Sequence, residues 1–181
     1  MYRIDDKCFK EFISAEQIAQ RVSSIAEQIN SDYAAGKFSG LPLIVSVLNG
    51  SAIFCCDLIR ELNFEFELSF VKISSYNGTE STGCPKRLIG LNTDLKGRDV
   101  IVIEDIVETG ISIDSIDCDL REKGAENISV CTLTFKQNRY RGNRAIDYIG
   151  FEIEDEFIVG YGMDYMERGR GLSEILVVAD E

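Results

Sequence analysis

Short, unbroken apolar runs alternate along this chain with stretches of helical periodicity, and that alternation restricts the fold more than any other feature. Residues 43–48, 100–103 and 128–135 each read as a buried strand. Ser14, Ala15, Glu16 and Gln17 form a capping box, and Ile18, Val22, Ile25 and Ile29 follow it at helical spacing. Asn49, Gly50 and Ser51 turn into a second helix ending near Leu62, with Ile53, Phe54, Ile59 and Leu62 apolar. A third helix carries Ile113, Ile116 and Leu120 and stops at Gly124. This strand–helix–strand order predicts one α/β domain over residues 1–181 with a mostly parallel central sheet. Phe64, Phe66, Leu68 and Phe70 alternate with Glu65, Glu67 and Ser69, which reads as a strand with one wet face. Residues 74–86 are polar, include Gly78 and Gly83, and read as a long mobile loop; residues 87–91 read as a returning strand. Three strand-like pieces, DYIGFEI, EFIVGYGM and EILVVA, end the chain.

Composition removes several function classes. With 19 Lys and Arg against 31 Asp and Glu, the net charge is −12, which argues against a nucleic-acid surface. It leaves room for a small anionic substrate held at a local site. No apolar run approaches the ~20 residues of a membrane span, and the N-terminal MYRIDDKCFKEF lacks a signal-peptide core, so a cytoplasmic location is expected. None of the six cysteines forms a CxxC pair, and reduced thiols are expected, with Cys55 and Cys56 packed on a helix. The chain has no histidine, which excludes Ser-His-Asp triads, imidazole acid–base chemistry and most zinc sites.

The strand at residues 100–103 ends in two adjacent acids, Glu104 and Asp105, followed by Glu108, Thr109, Gly110, Ile111 and Ser112. Ligands of open α/β sheets bind beyond the carboxyl ends of strands. The turn into a helix at residues 109–112 offers backbone N–H groups, the helix dipole and the hydroxyls of Thr109 and Ser112 to a phosphate. GxxxxGK[ST] and GxGxxG loops are both absent. Carboxylates beside a phosphate cradle suit a ribose 5-phosphate; on spacing alone, a solvated acidic loop remains open as well.

VIVIEDIVETGIS closely resembles the phosphoribosyl-diphosphate motif of purine phosphoribosyltransferases, in particular their hypoxanthine–guanine branch. SVLNGSAIFCCDLIREL, VKISSYNGTESTG, DYIGFEIEDEFIVGYGMDY and the later Arg170 resemble that family in the same order, and together these pieces cover most of the chain. The resemblance implies the type I phosphoribosyltransferase fold, with helices flanking the central sheet and a small hood. It also implies Mg2+-dependent transfer of a 5-phosphoribosyl group to N9 of a 6-oxopurine, with release of diphosphate, by a homodimer or homotetramer. By position, Glu104 and Asp105 would bind the ribose hydroxyls, partly through metal, and Glu108 would exchange a proton at the purine imidazole edge. Thr109, Gly110, Ile111 and Ser112 would enclose the 5-phosphate. Lys136, in TFKQNR, would donate to the purine 6-oxygen, Phe157 would stack on the base, and Ile158 would meet its other edge through backbone atoms. Asp164 would complete the purine side and bind a second Mg2+, Arg170 and Asn49-Gly50 would contact diphosphate, and Ser75 and Tyr76 would belong to a closing lid.

The chain departs from the family pattern at several positions. Asn49 stands where Lys or Arg is common, Glu108 where Asp is usual, Ile111 supplies no side-chain donor, and QNRYRGNR differs from the usual basic loop. The extra methylene of Glu108 moves its carboxylate by about 1 Å, a distance that matters for rate. A non-catalytic regulator of the same fold and a nucleotide-binding protein without turnover are the alternatives to an enzyme. The net charge and the purine-side set Lys136, Phe157 and Asp164 oppose the regulator.

Overall fold

The computed structural model describes residues 1–75 and 86–179. Its elements are β1 (Tyr2–Ile4), β2 (Lys7–Ile13), α1 (Ala15–Ala34), β3 (Leu43–Val47), α2 (Ala52–Arg60), β4 (Glu67–Ser75), β5 (Lys86–Ile89), β6 (Val100–Val107), α3 (Ile111–Glu122), β7 (Ile128–Phe135), β8 (Tyr148–Glu152), β9 (Ile158–Val159) and β10 (Ile175–Val178). The larger sheet has the order β5-β4-β3-β6-β7-β8. Its five strands β4, β3, β6, β7 and β8 run parallel, and β5 returns antiparallel on the β4 edge. A four-stranded antiparallel sheet, β1-β2-β10-β9, makes the hood.

The unbroken apolar runs follow from burial on both faces, the usual condition of a parallel sheet. Along β3, β6 and β7, Ile44, Ile101, Ile103, Cys131 and Leu133 pack with Ile18, Val22, Ile25 and Ile29 of α1 and Phe54 and Leu58 of α2. The intervening Leu43, Val45, Val100, Val102 and Val130 pack on the opposite face with Ile113, Ile116 and Leu120 of α3. The period of two along each strand therefore sorts its residues between two helical layers. Helix α1 starts at the expected capping box: Gln17 N donates to Ser14 Oγ at 3.2 Å, and Ser14 N to Gln17 Oε1 at 2.9 Å.

Four expectations change. Strand β4 begins at Glu67, later than its alternation suggested, and Phe64 ahead of it stacks on Tyr33 with centroids 4.1 Å apart. One face of β4 is open as expected, but it carries Leu68 and Phe70, 38% and 37% exposed, because Val71 takes the core position beside α3. The loop expected over residues 74–86 is shorter at both ends, since Ser74 and Ser75 pair with Arg87 and Lys86; Tyr76 and the rest of that loop lie outside the described residues. Cys8, Cys55, Cys56 and Cys131 are free thiols, and burial raises that of Cys55 to about 11. Cys118 is disulfide-bonded, so the expectation of reduced thiols fails there. The hood strands β1 and β2 carried no signal that the sequence reading used. Among the described residues, no helix is long and apolar enough to cross a membrane.

Candidate active site

Strands β3 and β6 are neighbours, yet the chain leaves β3 toward β4 and leaves β6 toward β7, on opposite sides. Their carboxyl ends therefore open a crevice at the switch point of the sheet, where α/β proteins bind ligands. A cis peptide bond joins Leu48 to Asn49 at this strand end. A Cβ at Gly50 would overlap the Asp105 carboxylate, and a Cβ at Gly162 would overlap the Gly50 carbonyl. Only residues without a side chain let the Asp105 carboxylate approach Gly50, and the Gly50 carbonyl approach Gly162, so closely.

Beyond Gly162 the structure brings Asp164 and Arg170 together. Arg170 NH1 donates to Gly162 O at 2.9 Å, and its NH2 lies 2.6 Å from Asp164 Oδ1 and 2.9 Å from Glu167 Oε2. Asp164 Oδ2 also accepts from Glu167 N at 2.9 Å. On the β6 side, Glu104 is buried and Asp105 partly so. Burial, and then the neighbouring Asp105, pushes the Glu104 carboxyl well above its ordinary range. Burial also raises Asp105, against backbone N–H donors and Arg170, which lower it, while Asp164 adds to the rise. Such a pair is short of positive charge, which a hard cation would supply. No group of three metal-ligating side chains occurs among the described residues.

The other half of the site is set by register. Val107 of β6 lies opposite Phe135 of β7, and Lys136 N donates to Val107 O at 2.9 Å. The residues that follow, Glu108 and Lys136, are thereby placed side by side, with Lys136 Nζ 2.6 Å from Glu108 Oε1. The Lys136 side chain is only 5% exposed, which removes the plain alternative of a solvated strand-end lysine. A cleft of about 220 Å3 runs along this strand end past Glu104, Glu108, Thr109, Gly110 and Ser112. Helix α3 opens there at Gly110 with no side-chain cap, leaving its first turn suited to an anion. Ile111 points outward, 61% exposed.

Phe157 is 43% exposed, with its ring edge-to-face on Tyr165 at 5.5 Å, so one surface remains available for stacking. Ile158 is buried in β9, where its backbone pairs with Val177. Tyr76 cannot be placed against this site, lying outside the described residues, and of Ser75 only its strand pairing is described. The segment at residues 137–144, unassigned from sequence, folds across the turn at residues 109–112. Arg141 N donates to Thr109 O at 3.0 Å, Tyr140 packs edge-to-face on Phe135 at 5.3 Å, and Arg144 pairs with Asp117 of α3 at 2.9 Å. Sequence reasoning missed Arg139 and Asp155, which join 2.8 Å apart beside Lys136. The one available signal was the spacing of Arg139 three residues after Lys136, which a 3-10 turn at Gln137–Arg139 brings to one side.

The chain matches the phosphoribosyl transferase domain over residues 10–166. It is 38% identical over 167 residues to the hypoxanthine-guanine phosphoribosyltransferase of Mycobacterium tuberculosis, covering 90% of this chain and 82% of that protein. It is 36% identical over 170 residues to the protein of the same name from Bacillus subtilis, covering 93% and 92%. A crystal structure of a hypoxanthine phosphoribosyltransferase from Staphylococcus aureus superposes with a TM-score of 0.82 at 35% identity, over 94% of this chain and 91% of that one. With this fold, this strand-end crevice and these relatives, the chain belongs to the phosphoribosyl transferase domain family, among its hypoxanthine-guanine phosphoribosyltransferases.

Proposed function

We propose that this chain, acting as a single domain, transfers the 5-phosphoribosyl group of phosphoribosyl diphosphate to N9 of hypoxanthine and guanine. The products are the purine nucleotide and diphosphate, the reaction of purine salvage. The observation that carries this is the pairing of buried Lys136 with half-exposed Glu108 beside the capless turn of α3. It supports a hydrogen-bond donor, a proton acceptor and an anion site at the ends of two neighbouring strands.

Departure of diphosphate leaves an oxocarbenium-like C1, so the reaction needs a stabilised leaving group, dryness and an oriented base. Arg170 and the backbone at Asn49 and Gly50 bind the departing diphosphate. Glu104 and Asp105 accept the ribose hydroxyls, while Thr109, Gly110, Ile111 and Ser112 surround the 5-phosphate. Lys136 donates to the 6-oxygen, and Phe157 and Ile158 hold the ring. Glu108 takes the proton from the imidazole edge as the new bond forms at N9. Glu104 and Asp105 on the β6 side, and Asp164 at a second position, would each hold Mg2+ together with substrate oxygens, and Mg2+ bound there would supply positive charge to the departing diphosphate. A lid containing Ser75 and Tyr76 excludes water in this scheme.

Assembly as a homodimer or homotetramer belongs to the same proposal and is supported by Leu68 and Phe70 exposed on one face of β4. The relatives carry enzyme names, and nothing supports a non-catalytic regulator. Protein mixed with phosphoribosyl diphosphate, Mg2+ and hypoxanthine should release diphosphate and form inosine monophosphate; binding without product would leave a nucleotide-binding protein and refute transfer.

A further inference from the structure

Arg139 stands on the purine side of the site and has no part in the scheme above. The turn at Gln137–Arg139 carries it back over the same carboxylates that Lys136 meets. Arg139 NH1 lies 2.8 Å from Asp155 Oδ1 and 3.9 Å from Glu108 Oε2. Lys136 Nζ lies 2.6 Å from Glu108 Oε1 and 3.6 Å from Asp155 Oδ1. Two cations and two carboxylates thus alternate around a ring, and each oxygen of Glu108 faces a different cation. The ring has a buried corner at Lys136, 5% exposed, and a wetter one at Arg139, 45% exposed.

We propose that Arg139 is a positioning residue that retains the Glu108 carboxylate through Oε2 when the incoming base draws Lys136 away from Oε1. The role rests on the transfer reaction proposed above. A 6-oxygen that takes a proton of Lys136 competes with Glu108 for that ammonium. Glutamate has one more torsion than aspartate, so a released Glu108 side chain would swing more widely. Misplacing a proton acceptor by about 1 Å is enough to cost on the order of 100-fold in rate. Arg139 closes that freedom from the opposite oxygen. It is itself anchored on Asp155, two residues before Phe157, so its anchor belongs to the segment that stacks on the base. Both of its contacts come from the single nitrogen NH1, so the arrangement uses charge rather than the guanidinium fork, and a lysine can replace it.

The test is steady-state kinetics with hypoxanthine at saturating phosphoribosyl diphosphate and Mg2+, for wild type, Arg139→Gln, Arg139→Lys, Glu108→Gln and the Glu108→Gln/Arg139→Gln double variant. Arg139→Gln should lower kcat about 10- to 100-fold while moving the KM for hypoxanthine by less than about twofold. Arg139→Lys should recover most of kcat. The double variant should be no slower than Glu108→Gln, because Arg139 acts only through that carboxylate. A merely structural Arg139 would give additive losses, and that result, or a kcat in Arg139→Gln within about twofold of wild type, would overturn the role. Failure of the wild-type protein to make nucleotide from any 6-oxopurine would overturn the transfer reaction and this role with it. An active wild type with an unaffected Arg139→Gln would overturn the role alone.

Discussion

Lys136 Nζ donates to Glu108 Oε1 at 2.6 Å from a side chain that is only 5% exposed. The pair joins the ends of two neighbouring parallel strands, and each member holds the other's charge in a partly dry crevice. Removing either strands the other, which makes both sensitive points for the reaction proposed here.

Lys136→Ala should erode the preference for 6-oxopurines. An ammonium only donates; it matches a 6-oxygen and faces hydrogens on a 6-amino group. The KM for hypoxanthine and guanine should rise by an order of magnitude or more, with that for phosphoribosyl diphosphate little changed. Catalytic efficiencies for hypoxanthine and adenine, compared in both proteins, check this; an unchanged ratio would take Lys136 out of base selection.

Gly50→Ala should cripple the diphosphate side. The new methyl would overlap the Asp105 carboxylate, so the β3 and β6 ends must separate or Asp105 must turn away. We expect at least about a tenfold loss in kcat/KM for phosphoribosyl diphosphate, together with a fall in Tm. Full activity would show that the crevice yields freely.

Ser14→Ala should remove the cap of α1 and cost about 1 kcal/mol, read as a lower urea midpoint at unchanged m-value. Its distance in sequence from the β6 end makes catalysis a control: kcat should stay at wild type.

Asp32 supplies a pH-dependent contribution to stability. Its Oδ2 accepts from Tyr148 OH at 2.6 Å and from Lys37 Nζ at 2.9 Å. These donors, Tyr148 foremost, hold its carboxyl below the ordinary 3.8. A depressed carboxylate stabilises the fold above its unfolded value and loses that contribution as pH falls through the folded one. Asp32→Asn should therefore be less stable than wild type at pH 7, with the gap closing below about pH 4. Thermal melts across that range check the sign; a gap that widens in acid would refute it.

Period and punctuation made much of this protein legible without coordinates. The capping box at Ser14 and Gln17, the two-sided apolar runs at residues 43–48, 100–103 and 128–135, and the acid pair closing the second of them are local facts. Backbone hydrogen bonding and burial act on them within a few residues, so they survive folding unchanged. A hood was implied by the resemblance, but strands β1 and β2 escaped because β2 finds its second partner near the other end of the chain, at β10. The open face of β4 escaped because alternation states that two faces differ, and only packing decides which one is covered. Register was equally silent in the sequence: pairing Val107 with Phe135 is what sets Glu108 against Lys136, and a turn of three residues is what adds Arg139 and Asp155. Sequence alone thus singled out candidate residues one at a time. The tertiary structure decided which of their charges meet, because ion pairs depend on distances of a few ångströms between residues far apart in the chain.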